Sequence, residues 1–171
     1  MPRPSTAPTT SDERLRAELV ALLRGGHAHV ATADALAGVP LDCINERIDG
    51  VAHSLWDLLE HLRIAQVDIL DFTRARGGPA YTEIAWPDAY WPDEPGTPEQ
   101  WQATLDAFLA DLDACVALAE DPSVDLVASF EHAPGYTVLR ELLLVADHNA
   151  HHLGQVITLR RYLGCWPPES V

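Results

Sequence analysis

Three of the eight histidines crowd into the stretch Asp147-His148-Asn149-Ala150-His151-His152-Leu153-Gly154-Gln155. On a helix, residues four apart lie one turn above each other on the same face. His148 and His152 therefore point the same way and can chelate one divalent ion. Metalloproteases of the HExxH type use this spacing with a glutamate as general base. Here the residue after the first histidine is Asn149, so that base is missing. Two imidazoles are not a finished site, because catalytic sites of this kind take three protein ligands and leave one position open. The third is expected to be His61. It sits at the edge of an apolar stripe in Leu58-Leu59-Glu60-His61-Leu62-Arg63, where a polar ring needs a partner. The competing reading makes His148 and His152 partly buried helix residues, hydrogen-bonded to their neighbours.

Imidazole ligands suit zinc, nickel, iron or copper. An ion of this kind lowers the pKa of a bound water and holds a thiol as thiolate. Either supplies a nucleophile without a separate base, so thiolate transfer and hydrolysis both fit. Asp147 and Glu60 are expected as outer partners of the imidazoles. His29, His132 and His151 stay outside the ligand set. Whether they line the site is open, and His148 and His151 are also helix neighbours.

Four helices must position these residues. The first is expected from Ser11 to Ala37, started by a Thr10/Glu13 capping box. Its apolar stripe is Leu15, Leu19, Leu22, His29 and Leu36, with Gly25-Gly26 a weak point or kink. A connection, Gly38 to His53, follows. The second helix starts at Ser54, with Asp57 as capping partner, and runs to Arg74. Its stripe is Leu55, Leu58, Leu62, Ala65, Ile69 and Phe72. The Arg76–Gly96 loop is long for a compact domain, and its Tyr81, Trp86, Tyr90 and Trp91 are placed either over a pocket mouth or against the bundle. The third helix has Thr97 as N-cap, Pro98 at its first position and Gln100 closing the box, and continues to Glu120. After a loop from Asp121 to Tyr136 comes the fourth, from Thr137 to Leu163. It carries the histidines on a face shared with Leu144, Val145, Gln155 and Leu159, expected to point inward. Gly164 and Pro167-Pro168 stop it.

Composition bounds the rest. A chain of 171 residues, 47% hydrophobic, is expected to form one globular domain over residues 11–171 behind a flexible tail, 1–10. With 11 Lys+Arg against 26 Asp+Glu, the net charge is −15. That argues against nucleic acid, which needs a basic patch, and against anionic membrane surfaces. No apolar run approaches the ~20 residues that span a bilayer. Met1–Thr10 has no apolar segment of the signal-peptide kind. Cys43, Cys115 and Cys165 are widely spaced and form no CxxC, which reads as reduced thiols of a cytoplasmic protein acting as small apolar residues.

The expected architecture is an all-α four-helix bundle with ligands projecting inward from facing helices. The Arg76–Gly96 connection, extended at ~3.3 Å per residue, spans up to ~70 Å. The second and third helices can therefore run parallel, joined by this crossover. Three pieces together carry a family likeness: His53-Ser54-Leu55-Trp56-Asp57-Leu58-Leu59-Glu60-His61-Leu62-Arg63, the Trp-Pro loop from Trp86 to Pro92, and Ala146 through Gln155. With them the chain resembles the DinB-like (DinB/YfiT) superfamily over nearly its whole length after the tail. The resemblance implies an up-down-down-up bundle, often dimeric, with a divalent metal such as zinc, nickel or iron on three histidines. By motif these are His61, His148 and His152. His151 stands where relatives often carry an aromatic residue. No DNA contact is implied, in agreement with the charge.

Characterised relatives include thiol-dependent S-transferases, using mycothiol or bacillithiol, and a maleylpyruvate isomerase. The expected function is thus that of a metal-dependent thiol S-transferase or hydrolase. It acts on a small molecule, with a low-molecular-weight thiol as the implied second cofactor and a homodimer as the implied assembly. The alternative is a non-catalytic metal- or ligand-binding bundle with a structural or sensory role. Carboxylates of a thiol cofactor would need cations, for which Arg63, Arg74 and Arg140 are available.

Overall fold

The computed structural model describes residues 10–75 and 81–167. Among them are five α-helices, one 3-10 turn and no strand. The helices are α1 (Ser11–Arg24), α2 (Thr32–Leu36), α3 (Leu55–Arg74), α4 (Pro98–Glu120) and α5 (Val138–Tyr162). The long helices pack as a bundle, α3 against α4 and α5, and α1 against the same two.

Three of the four long helices begin at a full capping box. Thr10 Oγ1 accepts from the Glu13 amide at 3.1 Å, and Glu13 returns the bond to the Thr10 amide at 2.9 Å. Ser54 with Asp57 and Thr97 with Gln100 repeat this exchange. Thr137 caps α5 by accepting from the Arg140 amide. Each cap satisfies amides that have no carbonyl partner in the first turn, which is why these starts were readable.

The first helix does not run to Ala37. Gly25 and Gly26 both take positive φ, +71° and +90°, a backbone that no continuing helix accepts. The doublet therefore ends α1, and Ala35 and Leu36 reach the core from the separate α2. The expected stripe changes with it. Leu19 and Leu23 are buried together with Arg16, whereas Leu15, Leu22 and His29 face solvent. Arg16 survives burial because its guanidinium donates to the carbonyls of Ala119, Asp121 and Val124 at 2.8–3.0 Å.

The core divides into two apolar clusters. One gathers α2, the first half of α3, the first half of α4 and the end of α5 around Leu36, Leu59, Phe108 and Val156. The other gathers α1, the end of α3, the end of α4 and the start of α5 around Leu23, Leu70, Cys115 and Leu142. Between them α3 and α5 contribute polar residues: His61, Gln66, His148, Asn149 and His152. Asn149 donates to Gln66 Oε1 at 2.8 Å, and Gln66 donates to the Phe108 carbonyl at 2.7 Å. This buried relay ties α5 through α3 to α4, at the height of the histidines.

The loop before α4 is bolted at its root. Asn45 exchanges two hydrogen bonds with the Gly96 backbone, at 2.8 and 3.0 Å, and Trp56 Nε1 donates to the Glu94 carbonyl. A methyl group on Gly96 would overlap the Trp56 ring. Gly96→Ala is therefore expected to lower stability by about 1–3 kcal/mol, the range of overpacking. Urea unfolding checks this, and a variant as stable as the parent would mean that the ring yields freely.

Candidate metal centre

His61 on α3 and His148 and His152 on α5 converge on one point, with ligand nitrogens all within 4.8 Å of one another. His61 Nε2 lies 3.1 Å from His152 Nε2 and 3.0 Å from His148 Nε2. His61 is 3% exposed, and the other two are half-buried at the wall of a cavity.

The outer nitrogen of two rings is committed. His61 Nδ1 lies 2.8 Å from the Tyr90 carbonyl, which can only accept, so Nδ1 carries the proton. His152 Nδ1 lies 2.8 Å from Gln155 Oε1 and donates in the same way. Both rings then present a bare lone pair at Nε2, and these two lone pairs face each other across 3.1 Å. Facing lone pairs repel unless a proton or a cation lies between them. Burial, and then His152 and His61, hold His148 down to about 4. Burial likewise holds His152 down to about 4, with Gln155 opposing and His61 adding to the effect. His61 is also lowered, chiefly by burial. At neutral pH the rings carry no extra proton, and a divalent ion is the species the donor set fits. Bonds of ~2.0–2.1 Å to imidazole nitrogen are compatible with the observed separations.

The depressed values carry a pH prediction for metal-stripped protein. The unfolded chain protonates these imidazoles below about 6.5, while the folded site resists until about 4. The unfolded state binds more protons in that window, so stability falls as pH drops through it. Thermal melts of chelator-treated protein should show this, with a shallower fall in His148→Gln. Equal slopes in parent and variant would contradict it.

Trp91 sets the plane of His61. Its ring stacks on His61 at 3.9 Å and on His53 at 3.8 Å, within 6° of parallel in both cases. Tyr90, beside it, reaches back to α3 with its hydroxyl. Tyr81 and Tyr90 donate to the two oxygens of Asp68, at 2.7 and 2.6 Å. Burial and Asp68 push the Tyr90 hydroxyl up to about 12 and the Tyr81 hydroxyl higher still, so both stay protonated donors. One loop residue thus holds α3 at two points, His61 by its carbonyl and Asp68 by its side chain.

The histidines open into a cavity of about 740 Å³. All four loop aromatics line it, with Trp86 the most exposed at the rim, joined by Phe72, Tyr136, Ile69 and Leu144. Among the described residues its one Lys or Arg is Arg140, which lies over the Tyr136 ring and pairs with Glu141 at 2.6 Å. Arg63 and Arg74 line a different cavity, and Arg63 is paired with Glu60.

Several expectations change here. Of the expected inward face of α5, Val145 and Leu159 are buried, whereas Leu144 and Gln155 are exposed, so the histidines border a cavity beside the buried Asn149. Glu60 does not touch an imidazole but binds Arg63 and Thr104, and Asp147 is exposed. His29 is exposed beside its neighbour Val30. His132 packs on Phe130 and Phe72 away from the three nitrogens. His151 is exposed and meets His152 only edge-on. The outer partners that sequence reading missed are the Tyr90 carbonyl, Gln155 and Trp91. Gln155 had a signal, because it follows His152 at helical spacing. A loop carbonyl has none.

Residues 12–156 match the DinB superfamily. The chain belongs to this superfamily. The match covers α1 through most of α5 and includes all three converging histidines. No curated protein matches the chain. Membership of this superfamily and the three-histidine group found here are compatible with metal binding. No described helix is long and apolar enough to cross a membrane.

Proposed function

We propose that this DinB-superfamily protein is a metal-dependent enzyme of the thiol S-transferase or hydrolase type, acting on a small molecule. The observation that carries the reading is the pair of facing lone pairs on His61 and His152, with both outer nitrogens already committed. His61, His148 and His152 would hold the ion. When bound, a divalent ion lowers the pKa of a thiol or water at its open position and so supplies the nucleophile.

The chain's own groups do the rest. Tyr90 and Gln155 orient two imidazoles, and Trp91 fixes the ring plane of the first. The aromatic wall binds an apolar or planar substrate body and excludes water. The Tyr81 and Tyr90 hydroxyls are held on Asp68. Arg140 is the group placed to receive a carboxylate. An up-down-down-up order belongs to the same reading. In its support, α3 and α4 both begin in one apolar cluster and end in the other, while α5 does the reverse. Arg16 and Arg24 of α1 meet the end and the middle of α4.

The test uses protein purified without a His-tag or chelator. About one equivalent of metal, with metal-dependent consumption of a small thiol or hydrolysis of an ester or amide, is the expected result. No metal, and none taken up from zinc or nickel solutions, overturns the reading. Stoichiometric metal with no turnover across both screens would favour a binding or sensory bundle instead.

A further inference from the structure

Cys43 and Cys165 are 122 positions apart in the chain, yet their sulfurs lie 4.0 Å apart. Cys43 is in the connection between α2 and α3, and Cys165 follows the end of α5. Both are half-buried, whereas Cys115 is fully buried in an apolar cluster on α4. Neither Cys43 nor Cys165 lines the histidine cavity. We propose that Cys43 and Cys165 are a redox pair, which closes to an intramolecular disulfide on meeting a low-molecular-weight disulfide.

The geometry needs little change. A disulfide bond is ~2.05 Å long, so the sulfurs must close by about 2 Å. That lies within the swing of a cysteine sulfur between staggered rotamers. The Cys43 thiol donates to the Pro40 carbonyl at 3.1 Å, a bond given up as the sulfur turns. Cys165 is the anchored partner. Its amide donates to the Arg160 carbonyl at 2.9 Å, and its own carbonyl accepts from the Arg160 guanidinium. Both cysteines lie outside helices, so small backbone adjustments break no helical bonds.

The exchange is balanced. One cysteine thiolate attacks a sulfur of the small disulfide. The reagent's S–S bond breaks, and one half leaves as a thiolate that takes up the proton the cysteine lost. The second cysteine, as thiolate, then attacks the first protein sulfur. The Cys43–Cys165 bond forms, the mixed disulfide breaks, and the second half leaves and is protonated likewise. Two protein thiols are oxidised and one reagent disulfide is reduced. Burial and the facing Cys165 sulfur push the Cys43 thiol up to about 11, so the closure should speed up as pH rises.

The product would tie the segment next to Asn45, which holds the Gly96 root of the aromatic loop, to the end of α5. It closes a loop of more than 100 residues, for which the melting temperature should rise on the order of 10 °C.

The test treats the full chain with excess 2-hydroxyethyl disulfide and reads intact mass. The expected product is lighter by two hydrogens, with Cys43 and Cys165 joined in the peptide map and Cys115 still alkylatable after denaturation. Cys43→Ser and Cys165→Ser should instead retain a single mercaptoethanol adduct, and dithiothreitol should reverse both products. Two adducts on the parent, covalent dimers, no reaction, or a two-hydrogen loss that persists in Cys43→Ser would each overturn the pairing. None of these readouts depends on the histidine site.

Discussion

His148→Ala is expected to strip the protein of its metal, from about one equivalent to below detection by elemental analysis. The two rings left, His61 and His152, keep their outer hydrogen bonds and their facing lone pairs. They no longer form the three-ligand set that a catalytic site uses. Loss of an outer partner such as Gln155 typically costs 10–100-fold in metal affinity. Loss of a ligand should exceed that range, so the two variants should rank in that order. A melting assay gives an independent reading. Metal at about 1,000 times its Kd stabilises by about 4 kcal/mol. For a chain of this size that raises Tm by roughly 10 °C. The parent should show that rise on adding zinc or nickel, and His148→Ala should not. If the variant binds metal as tightly as the parent, the three nitrogens are not the site.

Arg160→Met is expected to cost about 3–5 kcal/mol of stability while leaving the three converging histidines in place. Arg160 is fully buried and forms no ion pair among the described residues. Its charge is carried instead by carbonyl oxygens. Nη1 donates to Ala35 at 2.8 Å, Nη2 donates to Gly38 at 3.2 Å, and Nε and Nη2 both donate to Cys165. The Trp166 ring lies 4.9 Å from the guanidinium carbon. Hydrogen bonds to a charged group contribute roughly 1.5–3 kcal/mol each, and the buried acceptors left behind cannot recover water. Methionine fills the stem's volume without replacing the fork. Lysine would fail as well, because one ammonium cannot match the planar geometry that reaches three carbonyls on two separate segments. Denaturant unfolding of metal-loaded protein checks this. A loss under 1 kcal/mol would mean that water reaches these carbonyls.

These two residues differ in how far they could be read from the sequence. His148 and His152 announce themselves by spacing, and His61 by a polar ring on an apolar stripe. Arg160 looks like any basic residue in the last turn of a helix, where arginine usually sits in solvent. Its burial follows from α2, a short helix that the periodicity merged with the first, and from the turn after it, which bring the Ala35 and Gly38 carbonyls to it. The same blind spot hid the end of α1. A glycine doublet inside an apolar pattern reads as a weak point, and only the positive φ at both residues ends the helix.

What the sequence determined by itself was local. Caps at Thr10, Ser54 and Thr97, the Pro98 start and the histidine spacing all act within one or two helical turns, so side-chain type and interval suffice to read them. The family likeness rests on the same local runs. Everything that makes three histidines a site was decided by tertiary structure. The 3.0–3.1 Å approaches bring α3 to α5 across about 90 positions of chain, and the Tyr90 carbonyl that sets the His61 proton is a backbone group with no sequence signature. Trp91 becomes a ring clamp only because the loop lies down between His53 and His61. Interactions between distant segments depend on packing that no interval encodes, and that is the physical boundary between the two kinds of knowledge.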